Sequence, residues 1–122
     1  MEFALAVPLL LLILLGILEF GRAYNTQISL TQAAREGVRV MAIEDDASLA
    51  EASTIQAAAT LDPARMVIEI ESRDPSLSGP VTVNECKPGH QATVRVTYNL
   101  QTLTGFIAPF SLTGQGVMRC GG

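Results

Sequence analysis

Residues 3–18, FALAVPLLLLILLGIL, carry no charged side chain, and only Pro8 and Gly16 interrupt the apolar run. Ten of these 16 residues are Leu or Ile, and burying one such side chain is worth about 1.5 to 3 kcal/mol. Such a segment cannot face water along its length; it must lie in lipid or against copies of itself. At about 1.5 Å per residue it forms roughly 24 Å of helix, short of a hydrocarbon core of about 30 Å. It therefore spans a bilayer marginally, with Phe20 counted in and some local thinning. An acid flanks the run at each end, Glu2 before it and Glu19 just after it. A carboxylate at an apolar edge is costly unless paired, so both acids are candidates for function. The plainer reading of Glu2 is a contact with the helix dipole, and that of Glu19 a headgroup-level carboxylate beside Arg22 at i+3.

The 122-residue chain has a net charge of −4, and its eight basic residues are scattered along it. Nucleic-acid binding needs clustered Lys and Arg against phosphate, so that partner class is not expected. Outside the apolar run about 100 residues remain, enough for one small head domain. Cys86 and Cys120 are the only cysteines, and no CxxC motif or His cluster accompanies them. They read as one disulfide rather than a metal or redox site. Closing a loop of about 34 residues would contribute about 4 kcal/mol in the chain-entropy model.

Orientation gives a conflict. No Lys or Arg precedes the run and Arg22 follows it, which by the positive-inside rule puts the head in the cytoplasm, where a disulfide does not last. The conflict is resolved if a basic leader preceding Met1 has been removed, and a processed chain is the expectation. The run has no small-residue cleavage site of its own, so it is expected to remain in the protein.

Helical character continues past Arg22. At 100° per residue, Asn25, Ser29, Gln32, Arg35, Glu36 and Arg39 share one arc, and Leu30, Ala33, Ala34, Gly37, Val38 and Met41 share the other. One helix over residues 3–43 is expected, roughly 60 Å long, with Pro8 kinking it or lying near its first turn. Ala33, Ala34 and Gly37 form a small-residue patch that admits a close neighbour, either another helix or the chain's own head. Asp45 or Asp46 can cap a second helix over residues 47–60, with Leu49, Ala52, Ile55 and Ala59 at helical spacing and Asp62-Pro63 ending it.

From residue 65 the period becomes alternating. Met66, Ile68 and Ile70 alternate with Val67, Glu69 and Glu71 as in a strand with one buried face. A loop over residues 73–80 and a short strand over residues 81–85 follow, and KPGH at residues 87–90 marks a turn. Residues 92–100 form the clearest strand, with Val94, Val96 and Tyr98 on one face. After a longer connection, residues 110–119 give a last strand, bulged at Gly114 or Gly116, that brings Cys120 level with a neighbour. The expected fold is α+β: a long N-terminal helix packed on a second short helix and a small, mainly antiparallel β-sheet. Its parts are a hydrophobic membrane or filament-core helix at residues 1–22, an amphipathic continuation at 23–43, and a head at 44–122.

Little in the chain looks catalytic, and neither an enzyme activity, a metal nor a cofactor is expected. His90, the single histidine, lies in a polar turn. The Ser-nucleophile, zinc and phosphate-loop motifs are missing. Glu69 and Glu71 share a strand face about 7 Å apart, but paired carboxylates do acid–base work only in a cleft that separates their pKa values. Glu44, Asp45 and Asp46 read as a solvated helix boundary.

Several motifs together give a resemblance: EFAL at residues 2–5, Pro8, the Leu-rich run, G-x-x-E-F-G-R at residues 16–22 and AAREG at residues 33–37. The stretch 2–42 resembles the N-terminal region of TadE-like proteins, pilin-related subunits of the Tad branch of type IV filaments. The resemblance implies a prepilin cut by a membrane prepilin peptidase, held in the membrane by its N-terminal helix, then drawn by assembly machinery into a helical filament at the cell surface. Partners would be further copies of the chain and other pilins, and adhesion the purpose. It also implies that Glu2 neutralises the N-terminal amine of a neighbouring subunit. Here the glutamate is second, where the family has it fifth after the cut, so either residues precede Met1 or the cut differs. Residues assigned to subunit assembly are Glu2, Phe3, Leu5, Pro8, Leu12, Leu15, Glu19 and Arg22. A different class, a single-pass signal-anchored protein with a monomeric extracytoplasmic binding domain, explains the apolar run and the disulfide equally well. It leaves unexplained Glu2, the missing basic leader and the amphipathic continuation.

Overall fold

The computed structural model describes residues 2–74, 86–102 and 108–121. Helix α1 runs unbroken over Glu2–Glu44, 43 residues, or about 65 Å. Pro8 lies inside it, in the second turn. The helix stops where Asp45 takes a left-handed φ of 53°, a conformation that Asp tolerates better than most residues. Asp46 then caps α2 (Ala47–Ala57), accepting from the Ser48 and Leu49 amides at 2.8 and 3.3 Å. Asp62 does the same for a single 3₁₀ turn, Pro63–Arg65, by accepting from the Ala64 amide.

Three strands follow: β1 (Met66–Arg73), β2 (Gln91–Leu100) and β3 (Phe110–Arg119). They form one antiparallel sheet in the order β1-β2-β3. Alternation is cleanest on β2, where Ala92, Val94, Val96, Tyr98 and Leu100 are buried and the residues between them are not. This is the signature of a sheet with one face on a core and one in water. The α+β architecture read from the sequence is the one observed. The strand expected at residues 81–85 lies outside the described residues, as do most of the loop at 73–80 and the middle of the connection after β2.

The core forms between the second half of α1 and the sheet. Leu30, Ala34, Val38 and Met41 pack with Ala50 of α2 and with Ile70, Val94, Val96 and Tyr98. These α1 positions belong to the apolar arc read from the sequence. The small-residue patch meets the chain's own head: Ala33, Ala34 and Gly37 are buried there.

Two expectations need correction. Gly114 and Gly116 form no bulge: Val96 pairs with Gly114 and Val94 with Gly116 in an unbroken register. Their role is clearance, since a Cβ on Gly114 would lie 2.4 Å from the Leu30 carbonyl carbon and one on Gly116 2.7 Å from the Ala34 oxygen. Helix α2 is shorter than the expected 47–60 and presents another face: Ala50, Thr54 and Ala58 are buried, while Leu49, Ala52 and Ala59 are exposed and Ile55 is half-buried. The reason lies at Gly37, where α2 approaches so closely that only Ala and Thr fit between the helices.

Candidate functional site: the apolar rod and the base of the head

Residues 2–18 of α1 stand clear of the head, every one of them exposed. Phe3 is 81% exposed and Leu5 82%; Leu9, Leu10, Leu11, Leu12, Ile13 and Leu14 are exposed around the whole helix circumference. A helix that is apolar on all sides requires an apolar environment on all sides. The helix that carries it, α1, is the one helix among the described residues long and apolar enough to cross a membrane.

Of the residues assigned to subunit assembly, Glu2, Phe3, Leu5, Pro8, Leu12 and Leu15 lie on this exposed rod. Glu2 occupies the first helical position, where its carboxylate complements the N-terminal dipole. It lies 20 residues, about 30 Å of helix, from Arg22, the first basic residue along the chain.

Glu19 and Arg22 belong to a different surface. Glu19 is only 7% exposed and has an interaction partner; it marks the level at which α1 meets the head. Together with Gly16, Phe20, Ala23 and Phe110 of β3 it lines an apolar groove of about 430 Å³. Arg22 turns toward the sheet, its Nη1 donating to the Gln101 carbonyl oxygen at 3.2 Å. Arg65, from the 3₁₀ turn, donates from Nη2 to Gln101 Oε1 at 3.1 Å. Gln101, just past β2, thus draws two guanidinium groups to the base of the head. Phe20 stacks on Tyr24 with ring centroids 6.4 Å apart, and both rings are largely exposed, 73% and 62%.

Spacing along the chain could not show this junction. Arg22 and Gln101 are 79 residues apart, and Phe110 read only as the start of a strand. The one available signal was the sequence F-G-R-A-Y at residues 20–24, aromatic and basic together at the end of an apolar run, the composition of a membrane–water interface.

At the other end of the head, Cys86 and Cys120 form a disulfide with Cα atoms 5.3 Å apart. The Cys86 amide donates to Asp45 Oδ1, and the Gly121 amide to the Ala42 carbonyl at 3.3 Å. The bridge therefore ties the end of the chain to the far end of α1. His90 sits in the Lys87–His90 turn, closed by its amide on the Lys87 carbonyl. Glu69 faces Arg95 across the strands at 3.6 Å, and Glu71, on the same outer sheet face, lines a small pocket of about 190 Å³ with Arg73, Gln91, Thr93, Arg95 and Gln115. Among the described residues no group of three or more His, Cys, Asp or Glu is placed to hold a metal ion.

Helix α1, with an acid at its first turn and a head folded on its second half, has the layout that the motifs of residues 2–42 suggested. A comparison with protein families finds a likeness over the first third of the chain. Residues 1–39 match the family described as TadE-like protein. The TadE-like segment takes in the whole rod, Glu19, Arg22 and the first part of the amphipathic half of α1. It ends before α2 and the sheet, so the head lies outside the match. No curated protein and no solved structure matches the chain. A TadE-like segment on an exposed apolar helix fits a membrane-anchored, Tad pilus-associated protein.

Proposed function

We propose that this chain is a structural, non-catalytic subunit of a Tad-type filament that polymerises through residues 1–22 and presents its head outward. The observation that carries the proposal is the rod itself, exposed on every side although built chiefly of Leu, Ile, Val and Phe. Lipid shields it while the subunit waits in the membrane, and sister rods shield it after assembly. A subunit that contacts its neighbours through different surfaces above and below makes an interface that does not close, and the product is a fibre. Glu2 supports this reading, because a carboxylate within an apolar bundle is tolerated only when paired, and residues 3–18 carry no basic side chain. A prepilin peptidase and a membrane assembly machine are the partners that such a route needs, with the cell surface as destination and adhesion as the use.

The Glu2→Ala variant should leave a folded, membrane-held subunit at normal abundance while its recovery in sheared surface material falls to a small fraction of wild type. Normal incorporation of that variant would overturn the assigned role of Glu2. The competing reading, a solitary anchored protein, predicts no fibres at all. Negative-stain microscopy of sheared material, with the chain detected in ordered fibres or only in detergent-extracted membrane, separates the two.

A further inference from the structure

We infer that the base of the head is a docking site for an anionic phospholipid, its phosphate held by Arg22 and Arg65 and an acyl chain lying in the groove lined by Gly16, Phe20, Ala23 and Phe110. The inference rests on the membrane-held stage proposed above but not on polymerisation. Three observations support it. First, the rod is short: residues 3–20 give about 27 Å of helix against about 30 Å of hydrocarbon, so the base of the head is drawn down to headgroup level. Second, that base is built for the interface. Phe20 and Tyr24 are exposed beside the groove of about 430 Å³, an aromatic collar of the kind found where membrane meets water. Third, two guanidinium groups are gathered there by one residue, Gln101, on a protein of net charge −4. Both arginines are exposed, and a guanidinium fork suits phosphate oxygens. Two acids flank the site: Asp62 Oδ2 lies 3.8 Å from Arg65 Nε, on the same guanidinium edge as the Nη2 that donates to Gln101, which leaves the Nη1 side of Arg65 for a phosphate, and Glu19 is buried in the groove wall, where its carboxylate already has an interaction partner.

The test uses the full chain in lipid nanodiscs containing equal phosphatidylglycerol and phosphatidylcholine, with native mass spectrometry counting the lipids that stay bound on release. Phosphatidylglycerol should be retained about tenfold over phosphatidylcholine, the scale expected from two arginines near an anionic surface. The double variant R22Q/R65Q should lose that preference, and R119Q, at the opposite end of the head, should keep it. Should the double variant fold poorly, raising the salt on wild-type protein provides the same test, because screening must erase a phosphate preference. Equal retention of both lipids, a preference that survives R22Q/R65Q, or a groove filled by residues 3–18 of a second copy would overturn the inference. A chain that fails to insert into nanodiscs would instead overturn the anchoring reading on which it rests.

Discussion

Gly114 and Gly116 are where β3 passes beneath α1, and the helix backbone rests directly on them. The obstacles to a Cβ are backbone atoms of Leu30 and Ala34, which cannot rotate away. Gly114→Ala and Gly116→Ala should therefore each destabilise the head by about 1 to 3 kcal/mol, the usual cost of overpacking. Denaturant unfolding of the full chain in detergent measures this, and a change within error at both sites would refute the clearance role. Gly37 differs. Its nearest obstacle is the Thr54 Oγ1 at 1.9 Å, with the nearest backbone atom, the Ala50 oxygen, at 3.3 Å. Gly37→Ala alone should destabilise, whereas adding Thr54→Ala should recover most of the loss, since Ala is favoured over Gly inside a helix by about 1 kcal/mol. A double variant no better than the single one would show that the helices, rather than one hydroxyl, set the limit. Sequence marks such glycines as special within a strand but does not say whether a bulge or a close approach is the cause. Only the unbroken pairing of Val94 and Val96 with Gly116 and Gly114 decides it.

At the scale of elements, the caps and the disulfide set where each piece ends. Asp46 accepts two amide protons at the start of α2, so Asp46→Ala should cost about 1 kcal/mol, read as a lowered unfolding midpoint. Replacing both Cys86 and Cys120 by Ser should cost about 4 kcal/mol in the chain-entropy model; an unfolding midpoint unchanged by the double replacement would contradict it. Both α1 and the three strands could be read from period alone: Leu30, Ala34, Val38 and Met41 keep helical spacing, and Ala92 to Leu100 alternate strictly. The buried face of α2 could not. Its sequence offers Leu49 and Ile55 as core residues by hydrophobicity, yet the surface of α1 at Gly37 is so close that bulk is excluded and Ala50, Thr54 and Ala58 are chosen by size. The base of the head was equally hidden, because Arg22, Arg65, Gln101 and Phe110 come from four separate elements and no local pattern connects them.

On the scale of the whole molecule, two halves of one helix have opposite needs. The half that carries Leu30 to Met41 is satisfied by its own head, and the half from Glu2 to Leu18 stays exposed among the described residues. This division places the head on one half of a helix about 65 Å long and leaves an apolar surface on the other half that needs an apolar cover. The TadE-like match covers the apolar half of α1 and ends at residue 39, before the head. The most direct test puts a photo-crosslinking amino acid at Leu12, in the middle of the rod, and irradiates sheared surface material. The account predicts a ladder of covalent multimers whose crosslinks map to residues 3–18 of other copies. A chain found only in detergent-extracted membrane, crosslinked to lipid and never to itself, would contradict it.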